Sequence, residues 1–310
     1  MQIYLPVAQL SVNWILVLGL GCAVGFLSGL LGVSGGFIAT PLLLFYGIPS
    51  GVAVATQASP IAASSFVGAL GKGGQDSIDY KMGFVLLVGG LIGSAIGVQI
   101  FAYLQRLGQI DTVVELSYVV LLGSVGGIML KESLGAYLAR RAGKTLSAGH
   151  VAHYAWMQKL PFKTRFRRSG LYISVIPVLV LGLSVGVMTA ILGTGGAFML
   201  IPAKIYILRM QTSLAMGTSQ FQMFIVACLT TLMHAATDHT VDVVLALILV
   251  CGGVVGAQFG TRLATKLHSE QLRLAFAILV LTIAVQLVFQ SVAPPADPYT
   301  VIVGSTQPPE

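Results

Sequence analysis

The sequence predicts an all-α polytopic membrane protein made of two inverted repeats of about five membrane segments each, with glycine-broken half-helices. Hydrophobic residues make up 56% of the 310 residues and charged residues only 9%, whereas a soluble domain carries roughly 25% charged residues. The apolar runs are continuous over about 20 residues, the length that crosses a hydrocarbon core about 30 Å thick. A soluble enzyme, a disulfide-rich secreted domain and a disordered chain are excluded. Continuous rather than alternating runs also argue against a transmembrane barrel.

The apolar residues fall into ten uncharged segments, which we name A to E in the first half and A′ to E′ in the second. Segments B and B′ are too short to cross a bilayer as straight helices, so we expect half-spans or strongly tilted helices. In chain order, the segments cover residues 11–31, 36–48, 51–71, 82–104, 112–130, 171–195, 197–208, 212–233, 243–261 and 274–291.

The two halves of the chain repeat one another. GFLSGLLGVSGGFIATP, which ends at Pro41, matches GVMTAILGTGGAFMLIP, which ends at Pro202. A second match begins at Asp79 and Asp242 and continues through four glycines in each half. Two matching patches in the same order indicate a duplication. It divides the chain into a first transmembrane repeat, 1–134, a basic cytoplasmic loop, 135–169, a second repeat, 170–291, and a tail, 292–310.

Basic residues predict how the repeats are oriented. Eight of the 17 Lys and Arg lie between Arg140 and Arg168, a window without Asp or Glu. We interpret this window as a cytoplasmic loop that can contact anionic lipid, and not as a nucleic-acid site. Lys204 and Arg209 favour a cytoplasmic turn between B′ and C′, and Asp238 is expected outside. In the first half, Lys72 and Lys81 place the equivalent C–D turn inside. Equivalent turns then face opposite sides, which requires an odd number of crossings per repeat, and therefore five plus five in inverted topology. If B and B′ re-enter instead, the repeats are four plus four and parallel.

Two glycine-rich breaks, residues 32–36 before B and 193–196 before B′, are the main candidate site. Glycine brings main-chain N–H groups close to a ligand, and a half-helix that starts there presents unpaired donors and a positive dipole end. This chemistry suits a small oxyanion. The alternative is that the glycines only permit close helix crossing. The candidate residues in the breaks are Ser34, Gly35, Gly36, Thr194, Gly195 and Gly196.

A polar run early in segments C and C′ supplies the other candidates. Amide and hydroxyl groups inside a bilayer are costly unless they are partnered. They can therefore line a substrate path, or they can hydrogen-bond one helix to another. The candidate residues in these runs are Thr56, Gln57, Ser59, Thr218, Ser219 and Gln220.

The remaining motifs favour structural roles. Glycines at four-residue spacing in A, D and D′ predict close helix contacts. Asp79 and Asp242 each precede an apolar helix, where an N-cap is the usual role of aspartate. The sequence has no metal-ligand spacing, catalytic triad or Walker-type loop, so we predict neither an enzyme nor a bound cofactor or metal.

The glycine motif, the ATQASPIAASS run and IDYKMG with the LLVGGLIGSAIG that follows resemble the TauE/SafE sulfite exporter family. The resemblance covers about residues 10–290. It implies a multi-pass transporter of the bacterial inner membrane for small sulfur-containing anions such as sulfite, thiosulfate or sulfonates. It also implies that the family's glycine motif corresponds to residues 32–36 and 193–196. Ser34 and Ala197 depart from an all-glycine break.

These observations together predict a secondary transporter of small oxyanions, bound at the glycine breaks near the midplane of the membrane. Inverted repeats with interrupted helices are typical of such transporters. The expected partners are the anion and membrane lipid, without nucleic acid, and an oligomer is compatible with the sequence. The alternative is an anion channel, or a membrane protein that senses the substrate without pumping it.

Overall fold

A computed structural model describes residues 2–31, 35–73, 78–141, 161–166, 168–196, 199–200, 203–204, 208, 210–264 and 269–292. Long helices dominate these residues, as the composition predicts. The helices of the described residues are α1 Trp14–Leu31, α2 Gly36–Phe45, α3 Ser50–Gly73, α4 Tyr80–Arg106, α5 Ile110–Arg141, α6 Val175–Leu192, α7 Thr212–Thr237, α8 Val243–Ala264 and α9 Ser269–Val292.

Six of these helices, α3 to α8, are long and apolar enough to span a membrane. The prediction of an all-α polytopic membrane protein is therefore confirmed. Segment B forms α2, a helix of 10 residues, which reaches only about 15 Å at 1.5 Å per residue. Its predicted shortness is confirmed as well. Helix α5 extends to Arg141, so the first residues of the predicted basic loop continue a helix.

Two β-hairpins were not predicted from the sequence. Strands β1 (Gln2–Leu5) and β2 (Leu10–Asn13) pair antiparallel directly before α1, and β3 (Lys163–Phe166) and β4 (Leu171–Ser174) do so directly before α6. A hairpin therefore precedes the first helix of each half. The second hairpin crosses the sequence boundary placed between residues 169 and 170.

The strongest helix contacts join one half of the chain to the other. Helix α1 packs against α8, α4 against α6, α3 against α7, and α5 against α9. In segment names these pairs are A with D′, D with A′, C with C′ and E with E′. The set is unchanged when every segment is exchanged for its counterpart, as a two-fold relation between the halves requires. The halves are thus intertwined.

Glycines bring the paired helices into backbone contact, which confirms their predicted packing role. A Cβ added at Gly25 of α1 would lie 2.1 Å from the Gly253 carbonyl oxygen of α8, and one at Gly256 would lie 2.0 Å from the Cys22 carbonyl oxygen. In the pair of α4 and α6, a Cβ at Gly93 would lie 2.1 Å from the Leu183 carbonyl oxygen. Any side chain at these positions would push the helices apart.

Asp79 and Asp242 cap helices α4 and α8, as predicted. The Asp79 carboxylate accepts a hydrogen bond from the Met82 N–H at 3.2 Å, and the Asp242 carboxylate accepts one from the Leu245 N–H at 3.1 Å. Each carboxylate also accepts hydrogen bonds from the turn of a β-hairpin in the other half. Ser169 donates to Asp79 through its N–H and hydroxyl, and the Val7 N–H donates to Asp242 at 3.1 Å.

Candidate functional site

The two glycine breaks meet inside the bundle. A Cβ added at Gly36, the first residue of α2, would lie 2.8 Å from the Gly193 carbonyl oxygen. A Cβ at Gly193 would lie 2.7 Å from the Val54 carbonyl oxygen of α3. The breaks are therefore in contact with each other and with α3, the helix that carries the first polar run. Ser34 lies outside the described residues.

Helix α2 begins at the first break, so its N-terminus lies at the glycine motif. Its N-cap residue is Gly35, which makes no side-chain capping hydrogen bond. Residues 35–41 are buried, so this end of the helix lies inside the protein. The positive end of a helix dipole and the N–H groups of its first turn favour an anion.

A cavity of about 50 Å³ lies at this helix end, between α1, α2, α3 and α8. Gly35, Gly36 and Gln57 line it. The Gln57 side chain is 2% exposed, and its Nε2 has no hydrogen-bond partner among the described residues. A buried donor left unpaired costs about 1–3 kcal/mol, so this amide is suited to an acceptor that enters the cavity.

The second break has a different backbone. Gly193, Gly195 and Gly196 all have positive φ, at +63°, +70° and +52°, a conformation that L side chains rarely adopt. Thr194 is fully buried, and its hydroxyl oxygen lies 3.4 Å from the Gly196 N–H, which donates to it. Of the two breaks, the first contributes Gly35 and Gly36 to the lining of the cavity beside Gln57, and none of the described residues 193–196 lines it.

Thr56 and Thr218 occupy equivalent places in the two halves. The Thr56 hydroxyl oxygen accepts a hydrogen bond from the Asp242 N–H at 3.0 Å, and the Thr218 hydroxyl oxygen accepts one from the Asp79 N–H at 3.0 Å. Both side chains are fully buried. These bonds favour the helix-linking alternative for the two threonines, because each holds the start of a helix from the other half.

Ser219 contacts the buried Lys204. The Lys204 ammonium donates to the Ser219 hydroxyl at 2.9 Å, and Ser219 donates to the Ala215 carbonyl oxygen at 2.7 Å. The Lys204 side chain is fully buried, so it packs inside the protein, and the cytoplasmic position of the B′–C′ turn stays a prediction. Arg209 lies outside the described residues.

Sequence reasoning did not assign Lys204 to the site, although one signal was available. With Pro41 aligned to Pro202, Lys204 matches Leu43, a buried core residue. A lysine that replaces leucine within a short apolar segment is expensive and marks a special position.

The other polar residues of segments C and C′ lie in mixed surroundings. Ser59 and Gln220 are half-buried, and the Gln220 side chain lies against Gly68 of α3. The Gln220 Oε1 atom has no hydrogen-bond partner in the described part of the chain. Gln222 is fully buried, and its Nε2 donates to the Leu86 carbonyl oxygen at 3.1 Å.

The sequence is similar to those of known membrane transporter proteins. A "Probable membrane transporter protein" of Xylella fastidiosa (strain 9a5c) is 28% identical over 283 residues, which cover 89% of this chain and 95% of that protein. "Probable membrane transporter protein YunE" of Bacillus subtilis (strain 168) is 24% identical over 90% of this chain and 99% of its own length. No solved structure matches the chain.

The family model described as sulfite exporter TauE/SafE matches residues 17–287. This range includes all nine described helices except the ends of α1 and α9, and it includes both glycine breaks. Family, homologous transporters and six spanning helices agree. The chain is a multi-pass membrane transporter protein and belongs to the sulfite exporter TauE/SafE family.

Proposed function

We propose that this protein is a secondary transporter that moves small sulfur-containing oxyanions, such as sulfite, thiosulfate or a sulfonate, across the bacterial inner membrane. The observation that carries the proposal is the Nε2 of Gln57, which has no hydrogen-bond partner in the described part of the chain and lines a cavity at the N-terminus of α2. Neutral donors and a helix dipole converge there. That combination recognises an anion without a bound metal.

The size of the cavity supports a small ligand. Its volume of about 50 Å³ is far below the roughly 300–1,000 Å³ of pockets for drug-sized ligands. An anion of a few heavy atoms fits this scale better than a nucleotide or a sugar phosphate. The family description, which names sulfite, supports sulfur as the central atom.

Recognition by neutral groups also suits turnover. A hydrogen bond with one charged partner contributes about 1.5–3 kcal/mol. A few such bonds, less the desolvation of the anion, correspond to a dissociation constant between about micromolar and millimolar. The anion can then be bound and released within one transport cycle.

The intertwined halves supply a transport mechanism in this proposal. Helices α3 and α7 pack against each other along the contact between the halves, and the glycine breaks lie beside α3. Movement of the helices that flank the breaks, with the tightly packed pairs α1–α8 and α4–α6 kept together, would open the breaks to each side of the membrane in turn.

Binding and flux measurements test the proposal together. Purified protein is screened by thermal shift against sulfite, thiosulfate, sulfate, an aminosulfonate and chloride, and the same labelled anions are followed into proteoliposomes against a gradient. We expect a sulfur oxyanion to stabilise the protein by about 2.7 kcal/mol at one hundred times its dissociation constant, and to accumulate. Strictly downhill flux would indicate a channel, and no response to any sulfur oxyanion would refute the proposal.

A cavity-filling variant locates the site. Gly253 lines the cavity, and a Cβ added there meets nothing nearer than the Gly21 carbonyl oxygen at 3.9 Å. Gly253→Val should therefore fold, fill the cavity and block transport. Gly123→Val is the matched control, because a Cβ at Gly123 meets nothing within 4 Å and this glycine does not line the cavity. Normal transport by Gly253→Val would exclude this cavity.

A further inference from the structure

A buried histidine and aspartate at the end of α7 form a pair that the anion site does not use. The His234 Nδ1 lies 3.1 Å from the Asp238 Oδ2, and the two side chains are 1% and 4% exposed. The His234 Nε2 lies 3.1 Å from the Ala190 carbonyl oxygen of α6. Both ring nitrogens therefore face an oxygen acceptor.

The Ala190 carbonyl fixes which nitrogen carries a proton. Ala190 belongs to the last turn of α6, which ends at Leu192, and the carbonyls of a last turn have no helical N–H to accept from. A carbonyl oxygen can only accept, so His234 donates to it through Nε2–H. The Tyr118 hydroxyl donates to the Leu192 carbonyl in the same turn.

One further proton must then lie between His234 and Asp238. A neutral imidazole has a single N–H, and here that N–H faces Ala190. Without another proton, the Nδ1 lone pair would face a carboxylate oxygen at 3.1 Å, which is repulsive. With this further proton, either an imidazolium faces a carboxylate or a carboxylic acid faces a neutral imidazole ring. His234 lies in the last turn of α7, where the helix dipole favours a cation.

Few other ionisable groups face this pair. The helices that pack most closely on α7 are α3, α4 and α6, and α6 contains no ionisable side chain. Helix α4 places the Phe101 ring edge-on at 4.8 Å from the imidazole. Helix α3 places Gly51 beside Phe101, and its one ionisable residue, Lys72, lies at the opposite end. The ionisable residues of α4 are exposed: Tyr80, Lys81, Tyr103 and Arg106.

Within α7 and in the turn after it, the other ionisable residues are Cys228, six residues before His234, the exposed His239 next to Asp238, and Asp242, which caps α8. From α5, Tyr118 contacts the last turn of α6 through Leu192. Asp111 of α5 bonds to Ser50 instead. The His234–Asp238 pair is thus the one acid–base couple described around the end of α6.

We propose that the His234–Asp238 pair binds one exchangeable proton, and that this proton is the ion whose movement is coupled to anion transport. Losing the proton would leave a carboxylate against an imidazole lone pair in a buried site, and the ring would move away from Asp238 and loosen its bond to Ala190. Ala190 lies three residues before Gly193, where the second glycine break begins. Release of the proton would therefore free the helix end that positions this break.

The first half of this inference, proton binding, is independent of the proposed function, whereas the coupling rests on it. Full-length protein with ¹⁵N-labelled histidine is placed in nanodiscs and followed by NMR from pH 5 to 9, with His234→Gln used to assign the His234 nitrogens. We expect one ionisation of the Nδ1 site that Asp238→Asn alters. A His234 ring with one protonation state over the whole range would overturn the proposal.

The second measurement uses proteoliposomes and radiolabelled thiosulfate, whose charge does not change over this pH range. His234→Gln keeps an N–H donor but cannot release a proton. We expect it to lose at least tenfold in accumulation driven by a pH gradient, while thiosulfate exchange at equal pH stays within twofold. His239→Asn, a neighbouring exposed histidine with φ +51° that asparagine tolerates, should change neither rate.

Each other outcome is decisive. If His234→Gln still accumulates thiosulfate under a pH gradient, the pair is not the coupling site. If it loses exchange as well, the histidine has only a structural role, and the coupling proposal is wrong. If wild-type protein does not transport thiosulfate at all, the proposed function fails for this anion, while the nitrogen spectrum still decides whether the pair holds a proton.

Discussion

Replacing Gln57 by methionine separates the effect of the unpaired amide on protein stability from its effect on anion binding. Gln57 is 2% exposed, and in the part of the chain that the structure describes its Nε2 has no hydrogen-bond partner. An unsatisfied buried donor costs about 1–3 kcal/mol, and methionine has a similar length without a polar atom. We therefore expect Gln57→Met to unfold at the same or a higher temperature in the absence of anion.

Anion binding by Gln57→Met should be weaker than in the wild type, although its thermal stability is not lower. The variant loses a hydrogen bond to a charged ligand, which is worth about 1.5–3 kcal/mol. This corresponds to a dissociation constant raised about 10- to 150-fold. Calorimetric titration in detergent with the stabilising sulfur oxyanion measures it, alongside thermal unfolding of the same samples.

Gln222→Met is the matched control: like Gln57, Gln222 has one buried amide atom, its Oε1, without a partner in the described residues, but its Nε2 donates to the Leu86 carbonyl oxygen at 3.1 Å. Loss of that bond should lower the free energy of unfolding by about 0.5–1.5 kcal/mol and leave anion affinity within threefold. The reasoning is refuted if Gln57→Met binds the anion normally, or if it is destabilised as much as Gln222→Met.

Three further predictions follow from the packing and the charges. Gly25→Ala should lower the unfolding temperature or prevent folding, because its Cβ would lie 2.1 Å from a carbonyl oxygen of α8. The control in the same helix is Gly19→Ala, whose Cβ meets nothing within 4 Å. It should raise the free energy of unfolding by up to about 1 kcal/mol. Lys204→Met should keep anion affinity within twofold, because the ammonium is bonded to a serine and Lys204 does not line the cavity; a calorimetric loss above tenfold would mean that a cation holds the anion. In a cysteine-free background, Lys163→Cys should react with membrane-impermeant thiol reagents only from the cytoplasm and His239→Cys only from outside, and labelling of both from one side would contradict the inverted topology.

The structure also changes how the glycine breaks can be tested. The direct test of the breaks is valine at Gly35 or Gly196, which on the sequence alone should abolish transport and leave folding intact. At Gly196 the backbone has φ +52°, and an added Cβ would lie 2.2 Å from the Val185 Cγ1. Valine there would strain the backbone, so loss of transport would not separate binding from folding. Gly253→Val avoids this problem because its Cβ enters open space.

Much of the fold could be predicted because it depends on local sequence. Apolar length defines a spanning helix, and the 10-residue length of α2 follows from the short segment that contains it. Aspartate before an apolar run predicts a cap, and both Asp79 and Asp242 are caps. The hairpins were missed because β1 to β4 have four residues each, too few for a clear alternation of apolar and polar residues.

The candidate site could be predicted only by residue type. Polar residues in segments C and C′ are visible in the sequence, but their partners come from distant parts of the chain. Thr56 bonds to the start of α8, whereas its neighbour Gln57 lines the cavity with an unpaired donor. Two adjacent residues on one helix point in different directions, so helix packing decides which of them can meet a ligand.

The sequence by itself determined that this protein is a helical membrane protein with duplicated glycine breaks, since hydrophobic length, composition and repetition are properties of the chain alone. Only the tertiary structure decided that each half supplies the packing partners of the other, that Lys204 is buried against Ser219, and that His234 lies between Asp238 and Ala190. These contacts join helices that are distant in the chain. They depend on the angle and depth at which the helices cross, which no local pattern of residues specifies.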